Sequence, residues 1–155
     1  MNELPVARRL SHQLLLAVLL GSLGGVNLAI AGEYQDWDKI LKKGNEELSQ
    51  GNTEKAIAYF QDKCKKYPLS GACHCALGKS LKRLGKISEG KEELRKATDL
   101  DPSYAPGWYE LGVMLESDRE FGGAVTAFEK FLELNQDAGQ RKLVSDRIRS
   151  CKEHM

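Results

Sequence analysis

The chain has 155 residues, which is enough for one domain of ordinary size and too few for two. Hydrophobic residues make up 41% and charged residues 29%, so the chain can bury a core and is not a disordered tail. A formal net charge of +1 excludes a nucleic-acid-binding protein that depends on overall basic charge. The three histidines, two of them near the chain ends, exclude a catalytic centre built from several histidines.

The first 31 residues are typical of a secretory signal peptide. Arg8 and Arg9 precede an apolar stretch over residues 14–26, and the segment ends on small residues at Ala29 and Ala31. This order predicts cleavage after Ala31 and export to the periplasm or cell exterior, with residues 32–36 as a short linker. The alternative is an uncleaved membrane anchor, because residues 14–31 just reach the length of a membrane-spanning helix.

From residue 37 onward, small and large residues recur with a period of 34. The small residues fall at two positions of the period, and large apolar residues fall at a third: Gly44, Gly78 and Gly112; Ala56, Gly90 and Ala124; Phe60, Leu94 and Phe128. Between these positions, apolar residues follow the spacing of amphipathic helices. We therefore predict three helix pairs, over residues 37–70, 71–104 and 105–138, whose small residues allow close helix approach.

Turn residues mark the predicted helix ends. Gly51 and Gly85 stand where the first helix of a pair should stop, because glycine readily adopts the left-handed conformation of a helix cap. Asn52 and Thr53 follow as candidate caps of the next helix. Pro68 and its counterpart 34 residues later close the first two pairs.

A seventh helix is predicted over residues 139–152, followed by a short tail to residue 155. Val144, Ile148 and Cys151 recur at helical spacing and form one apolar stripe. Such a helix would cover the apolar face that the last helix pair otherwise exposes. The fold class is therefore all-α, with three helix-turn-helix units and a C-terminal capping helix.

These repeats resemble the tetratricopeptide repeat family, whose unit is a 34-residue helix-turn-helix. The third unit is the most similar at its start, where Trp108 and Leu111 precede the repeated glycine. The chain departs from the family pattern at Ile40, where a Trp is usual, and at Gly90, where an Ala is usual. Arg119 also stands where the first two units have glycine. The resemblance implies an α-solenoid.

The resemblance also implies that the first helix of each unit lines a concave groove that holds a partner's peptide. The positions that it assigns to the groove are Leu41, Asn45, Cys75, Lys79, Lys82, Arg83, Tyr109, Val113 and Glu116. The three bases of the second unit share one helical face and would suit an acidic segment or a chain-terminal carboxylate. The alternative is that these bases only keep an exposed helix soluble.

Some members of this family bind chaperone C-termini through a clamp of five basic and amide residues. Asn45 is the single residue here that matches this clamp. The other four positions hold Leu41, Ala76, Pro106 and Glu110. We therefore do not expect this chain to bind chaperone C-termini by the clamp.

The four cysteines admit two pairings with Cys64. Cys64 and Cys73 lie about equally far from the turn at Pro68, so antiparallel helices would bring them together. Cys64–Cys73 is the expected disulfide, with a stabilisation of roughly 2 to 3 kcal/mol, and Cys64–Cys75 is the second choice. Cys75 is expected to face the groove, where a helix start could activate its thiol. Cys151 is expected in the apolar stripe of the last helix.

The run Cys73-His74-Cys75 suggests a thiol-redox or metal-handling protein as an alternative. Neighbouring side chains on a helix diverge, whereas zinc requires four converging ligands. We therefore expect no metal and no cofactor, and we expect His74 to be packed rather than to bind a ligand.

The sequence carries none of the common enzyme motifs for hydrolases, zinc proteases or nucleotide-binding loops. It predicts a non-enzymatic protein–protein interaction module or scaffold of the bacterial cell envelope, without nucleic-acid or small-molecule partners. A membrane-anchored subunit of an envelope assembly complex is a further alternative if residues 1–31 are retained.

Overall fold

The computed structural model describes residues 37–155, and these residues form seven α-helices and no strand. The helices are α1 (Trp37–Ser49), α2 (Thr53–Lys66), α3 (Gly71–Arg83), α4 (Ile87–Leu100), α5 (Ala105–Ser117), α6 (Phe121–Leu134) and α7 (Ala138–Glu153). The predicted all-α solenoid is thereby confirmed. The predicted signal peptide, its cleavage site and the linker over residues 32–36 lie outside the described residues.

Three helix pairs, α1 with α2, α3 with α4, and α5 with α6, follow one another along the chain. Within each pair the helices pack against each other, and each second helix also packs against the helix that follows it. The first helices are neighbours as well, because α3 lies beside both α1 and α5. None of the described helices is both long enough and apolar enough to cross a bilayer.

A residue with left-handed backbone lies in the middle of the connection between the helices of each pair. Gly51 has φ +82° and Gly85 has φ +85°, as the sequence predicts. Arg119 adopts the same conformation in the third pair, with φ +59°. A side chain makes this conformation costly, so the third turn is more strained than the first two.

The expected cap at the start of α2 is found at Asn52, but without a side-chain capping bond. Asn52 is the N-cap residue, but its side chain makes no capping bond and its amide donates to Glu47 Oε2 at 3.0 Å instead. Side-chain caps occur elsewhere: Ser70 accepts from a backbone N–H of α3, and Asp137 accepts from one of α7. The amide of Asn52 therefore stabilises the turn between α1 and α2 and does not cap the start of α2.

The repeated small residues lie where two helices come closest, as predicted. A Cβ atom added to Gly44 would overlap the ring of Phe60, and one added to Gly112 would lie 2.6 Å from the ring of Phe128. In the second pair, a Cβ atom on Gly90 would lie 2.9 Å from the carbonyl oxygen of Gly78. Glycine at position 90, where the family usually has alanine, thus allows two backbones to meet.

The buried side chains form two clusters. The N-terminal core joins the first pair to α3 and comprises Leu48, Ala56, Ile57, Phe60, Cys64, Cys73, Ala76, Leu77 and Leu81. The C-terminal core joins α3 to the four helices that follow it. It comprises Cys75, Leu94, Ala97, Leu111, Met114, Leu115, Ala124, Val125, Ala127, Phe128, Phe131, Val144, Ile148 and Cys151. Helix α3 supplies side chains to both cores, and the predicted apolar stripe of α7 is buried in the second.

Candidate peptide-binding face

The first helices of the pairs present one continuous surface. Helix α1 lies beside α3 and α3 beside α5, and an ion pair between Glu116 of α5 and Arg147 of α7 continues the row to the last helix. We call the exposed side of α1, α3, α5 and α7 the groove face. It is the surface to which the family resemblance assigns ligand contacts.

Most of the residues predicted for the groove are accessible on this face. Asn45, Lys79 and Arg83 are exposed, and five others are partly exposed. The five partly exposed residues are Leu41, Lys82, Tyr109, Val113 and Glu116.

The prediction that Cys75 faces the groove is wrong. Its side chain is only 2% exposed and belongs to the C-terminal core, because α3 is covered by α1 on one side and by α5 on the other. Burial raises the pKa of the Cys75 thiol to about 12. The expected activation of this thiol is therefore wrong as well.

Ion pairs neutralise part of the charge on the groove face. Lys79 Nζ lies 3.3 Å from Glu110 Oε1 on the neighbouring helix, and Glu116 is paired with Arg147. Lys82 and Arg83 form no ion pair within residues 37–155. The unbalanced positive charge of the predicted cationic patch therefore lies at the C-terminal end of α3.

A cavity of about 390 Å³ opens between α5, α6 and α7. Its lining is mostly apolar and consists of Ala105, Pro106, Tyr109, Phe131, Asn135, Gln140, Leu143 and Val144. The amide of Asn135 donates to Gln140 Oε1 at 2.5 Å, so these two polar side chains hold each other within the lining. The volume falls in the range of ligand-binding pockets.

Tyr109 links this cavity to the groove face, because it was predicted for the groove and also lines the cavity. Its ring lies 5.4 Å from the ring of Phe131 and 6.2 Å from that of Phe128, which are typical distances for aromatic contacts. The two phenylalanines therefore fix the position of the Tyr109 side chain.

The cavity was not predicted from the sequence. The one residue that could have indicated the cavity is Leu143, which lies beside the apolar stripe of α7. It is a large apolar residue and is nevertheless 53% exposed. A lone exposed leucine is common on protein surfaces, so this signal is weak without the facing residues of α5.

The residues of the Cys73-His74-Cys75 run point into three different surroundings. Cys73 lies in the N-terminal core and Cys75 in the C-terminal core. His74 Nδ1 contacts Glu93 Oε2 at 2.6 Å, and its Nε2 contacts the carbonyl oxygen of Pro68 at 3.1 Å. Within residues 37–155, no three His, Cys, Asp or Glu side chains converge to hold a metal ion.

Glu93 carries a perturbed carboxyl group at the junction of α3 and α4. Burial acts to raise its pKa, but hydrogen bonds from Lys96 and His74 outweigh burial and lower the pKa. The ionised carboxylate is therefore favoured in the folded protein. The contact between His74 and Glu93 joins α3 to α4, and the contact between His74 and Pro68 joins α3 to the turn that precedes it.

The described helices form a solenoid of helical hairpins. The first helix of each hairpin contributes to the exposed groove face. Comparison with known families agrees, since residues 75–139 match the model of the tetratricopeptide repeat family. The described helices therefore have the fold of tetratricopeptide repeat domains, and residues 75–139 carry the repeat itself.

A curated relative covers the repeats at low identity. Hsp70-Hsp90 organizing protein 1 of Glycine max is 25% identical over 118 residues, which cover 76% of this chain and 20% of that protein. The chain thus spans about a fifth of the length of this relative.

Two solved structures with bound peptides share the fold. The first TPR domain of Spaghetti (RPAP3) bound to the HSP90 peptide SRMEEVD has a TM-score of 0.67 at 19% identity, covering 78% of this chain and 94% of that one. The Yersinia enterocolitica type III secretion chaperone SycD with a peptide of the translocator YopD has a TM-score of 0.65 at 16% identity, covering 74% and 91%.

Proposed function

We propose that this protein is a non-enzymatic interaction module that holds a segment of a partner protein on its groove face. The observation that carries this proposal is the apolar cavity of about 390 Å³. Tyr109 lines this cavity and also lies on the groove face. Pockets of this size and lining bury apolar groups of a ligand, while a few polar groups orient it. Asn135 and Gln140 supply such polar groups at this cavity.

The partner segment that fits this face carries two features. A large apolar side chain enters the cavity between Tyr109 and Leu143, and an acidic group meets the unbalanced charge of Lys82 and Arg83. The peptide bound by the RPAP3 domain contains three acidic residues, which supports an acidic segment as a ligand class for this fold. A side chain at the cavity acts as the anchor, and the charges select the partner.

We place this module in the bacterial cell envelope, where it serves assembly or scaffolding. The support is the sequence of residues 1–31, with its two arginines, apolar stretch and small residues before Gly32. Amino-terminal sequencing of the protein purified from its host tests this placement. A mature chain beginning at Gly32 supports an exported protein, whereas retention of residues 1–31 supports the anchored envelope subunit instead.

The binding proposal is tested with peptides selected from a random peptide library displayed on phage. Affinities of the selected peptides are then measured by fluorescence anisotropy for the parent and for Leu143→Asp, a substitution at the partly exposed cavity lining. We expect Leu143→Asp to weaken binding by about tenfold or more, because it places a charge in an apolar site. Leu69→Asp is the matched control, since Leu69 is 74% exposed and lies outside the cavity.

The charge requirement is tested separately with Lys82→Glu combined with Arg83→Glu. We expect this variant to bind acidic peptides more weakly than the parent does. We also expect added salt to weaken binding by the parent more steeply than binding by the variant. Equal affinity of parent, Leu143→Asp and the double charge variant for every selected peptide would rule out the groove face as the binding site.

A further inference from the structure

We propose that Cys64 and Cys73 form a disulfide that covalently joins the first helix pair to the second. The Sγ atoms of these two residues lie 2.7 Å apart in the N-terminal core. Cys64 is near the end of α2 and Cys73 near the start of α3, so the bond would connect two different repeats. This proposal does not depend on what the groove face binds.

The polypeptide between the two cysteines holds them in position. The side chain of Ser70 caps α3 by accepting a hydrogen bond from the backbone N–H of Cys73 at 3.3 Å. The Cys73 thiol also lies 3.6 Å from the carbonyl oxygen of Phe60, one turn before Cys64 on α2. Helix ends that are fixed by a cap and by core packing hold the two sulfurs next to each other.

The other two cysteines are separated from this pair by the fold. Cys75 belongs to the C-terminal core, although it is only two residues from Cys73. Cys151 lies on α7, where its sulfur is 3.8 Å from Glu116 Oε1. The expected product is therefore one disulfide and two free thiols in each chain.

The bond forms by thiol–disulfide exchange with an oxidant of the disulfide class, such as oxidised glutathione or a disulfide-carrying oxidoreductase. Cys64 attacks one sulfur of the oxidant and releases the other as a thiol, which leaves a mixed disulfide on Cys64. Cys73 then attacks the Cys64 sulfur and releases the second thiol. The two cysteines are thereby oxidised to a disulfide, and the oxidant is reduced to two thiols. Cys64 and Cys73 are 9% and 0% exposed, so this exchange occurs while the chain folds. The hydrogen bond to Cys73 and burial raise the pKa of the Cys64 thiol, which keeps exchange slow once the core has closed.

The bond stabilises the end of the solenoid that has the smaller core. The first pair packs on the rest through the N-terminal core, to which Trp37 adds its partly buried ring. Helix α1 also forms one edge of the groove face. Reduction is therefore expected to loosen α1 and α2, and with them this edge, before the C-terminal core melts.

Peptide mapping tests the pairing directly. The full chain is refolded from denaturant in a glutathione redox buffer, its thiols are blocked, and it is digested with trypsin. Cleavage after lysines isolates residues 64–65 and residues 67–79 as separate peptides, which a disulfide would join. The second peptide contains both Cys73 and Cys75. The same digest of the variants Cys75→Ala and Cys73→Ala therefore shows which of these two cysteines is bonded to Cys64.

We expect the cross-link to persist in Cys75→Ala and to vanish in Cys73→Ala. Two blocked thiols per parent chain accompany this result. Four blocked thiols after refolding in the redox buffer, or a cross-link that persists in Cys73→Ala, would overturn the proposal.

Thermal unfolding tests the consequence for the first pair. The two tryptophans report different regions, because Trp37 packs on the N-terminal core and Trp108 on the C-terminal core. In a Trp108→Phe background, we expect reductant to lower the midpoint reported by Trp37 by about 10 °C. In a Trp37→Phe background, the midpoint reported by Trp108 should fall less.

Two cysteine variants make this measurement specific. Cys151→Ala should keep the reductant-induced shift at Trp37, whereas Cys64→Ala with Cys73→Ala should melt at the same temperature with and without reductant. A shift that survives the double substitution would mean that another bond is responsible, and no shift in the parent would mean that the bond does not stabilise the first pair.

Discussion

The N-terminal and C-terminal cores are built on the same contact and are held together in different ways. In each, a glycine of the first helix faces a fully buried phenylalanine of the second, Gly44 with Phe60 and Gly112 with Phe128. The C-terminal core continues into α7, which buries Val144 completely. The N-terminal core has no helix beyond α1 among the described residues, and it contains the two neighbouring cysteines instead.

This difference shows how a repeat array can secure its two ends. One end covers its apolar face with an added helix, which stabilises in proportion to the apolar area buried. The other end carries the cysteine pair, and the disulfide proposed for it would stabilise this end mainly by restricting the unfolded chain. Helix α3 supplies side chains to both cores, so damage to α3 should affect both ends.

The largest expected effect comes from Gly78→Leu, which tests the role of α3 directly. A Cβ atom at this position would lie 2.7 Å from Leu94 Cγ and 2.9 Å from the carbonyl oxygen of Gly90, and the backbone cannot yield easily. We expect a loss of about 3 kcal/mol in the free energy of unfolding through overpacking. Urea unfolding followed by fluorescence should show both tryptophan regions shifting together, unlike the effect of reductant.

Gly122→Leu is the matched control for this substitution. Gly122 also lies in a helix but is exposed, with one atom of Met155 at 3.9 Å from an added Cβ. This control should leave the midpoint unchanged or raise it. A Gly78→Leu protein that unfolds like the parent would show that the two cores do not share α3 as described.

A smaller effect is expected from Glu93→Gln, which tests the polar connection beside the cysteine pair. The pKa of Glu93 is lowered in the folded protein, so its ionised form stabilises the fold above the usual carboxyl pKa of about 4.3, and this contribution is lost as the pH falls through the folded value. We expect the variant to lose about 1 kcal/mol at pH 7. The difference from the parent should shrink as the pH falls below about 4.3.

Urea unfolding across this pH range measures the Glu93 effect. Glu92→Gln is the control, because Glu92 is exposed and adjacent in sequence. A constant difference between Glu93→Gln and the parent at all pH values would argue against a stabilising ionised carboxylate.

The smallest effect is expected from Arg119→Gly, which compares the third turn with the first two. Arg119 has φ +59°, whereas glycine occupies this conformation at Gly51 and Gly85. Relief of the strain should exceed the entropic cost of glycine in the unfolded chain and raise the stability by about 0.5 kcal/mol. Arg119→Ala retains the strain, so calorimetry should show a higher midpoint for the glycine variant than for the alanine variant.

Much of the fold could be predicted from the sequence, because the repeat is a local pattern. The positions of Gly44, Gly78 and Gly112 give the period, and apolar spacing gives the helices. The accessible groove positions followed from the family resemblance. The absence of a side-chain capping bond at Asn52 could not be predicted from local sequence, because the amide of Asn52 donates instead to Glu47 of the preceding helix.

By itself, the sequence determined the period, the helix pairs, the capping helix and the equal distance of Cys64 and Cys73 from their turn. Only the tertiary structure decided that Cys75 is buried, that Glu110 neutralises Lys79, and that Leu143 and Tyr109 line a common cavity. The reason is physical. Helix formation depends on residues three and four apart, whereas the burial and pairing of a side chain depend on helices that are more distant in the chain.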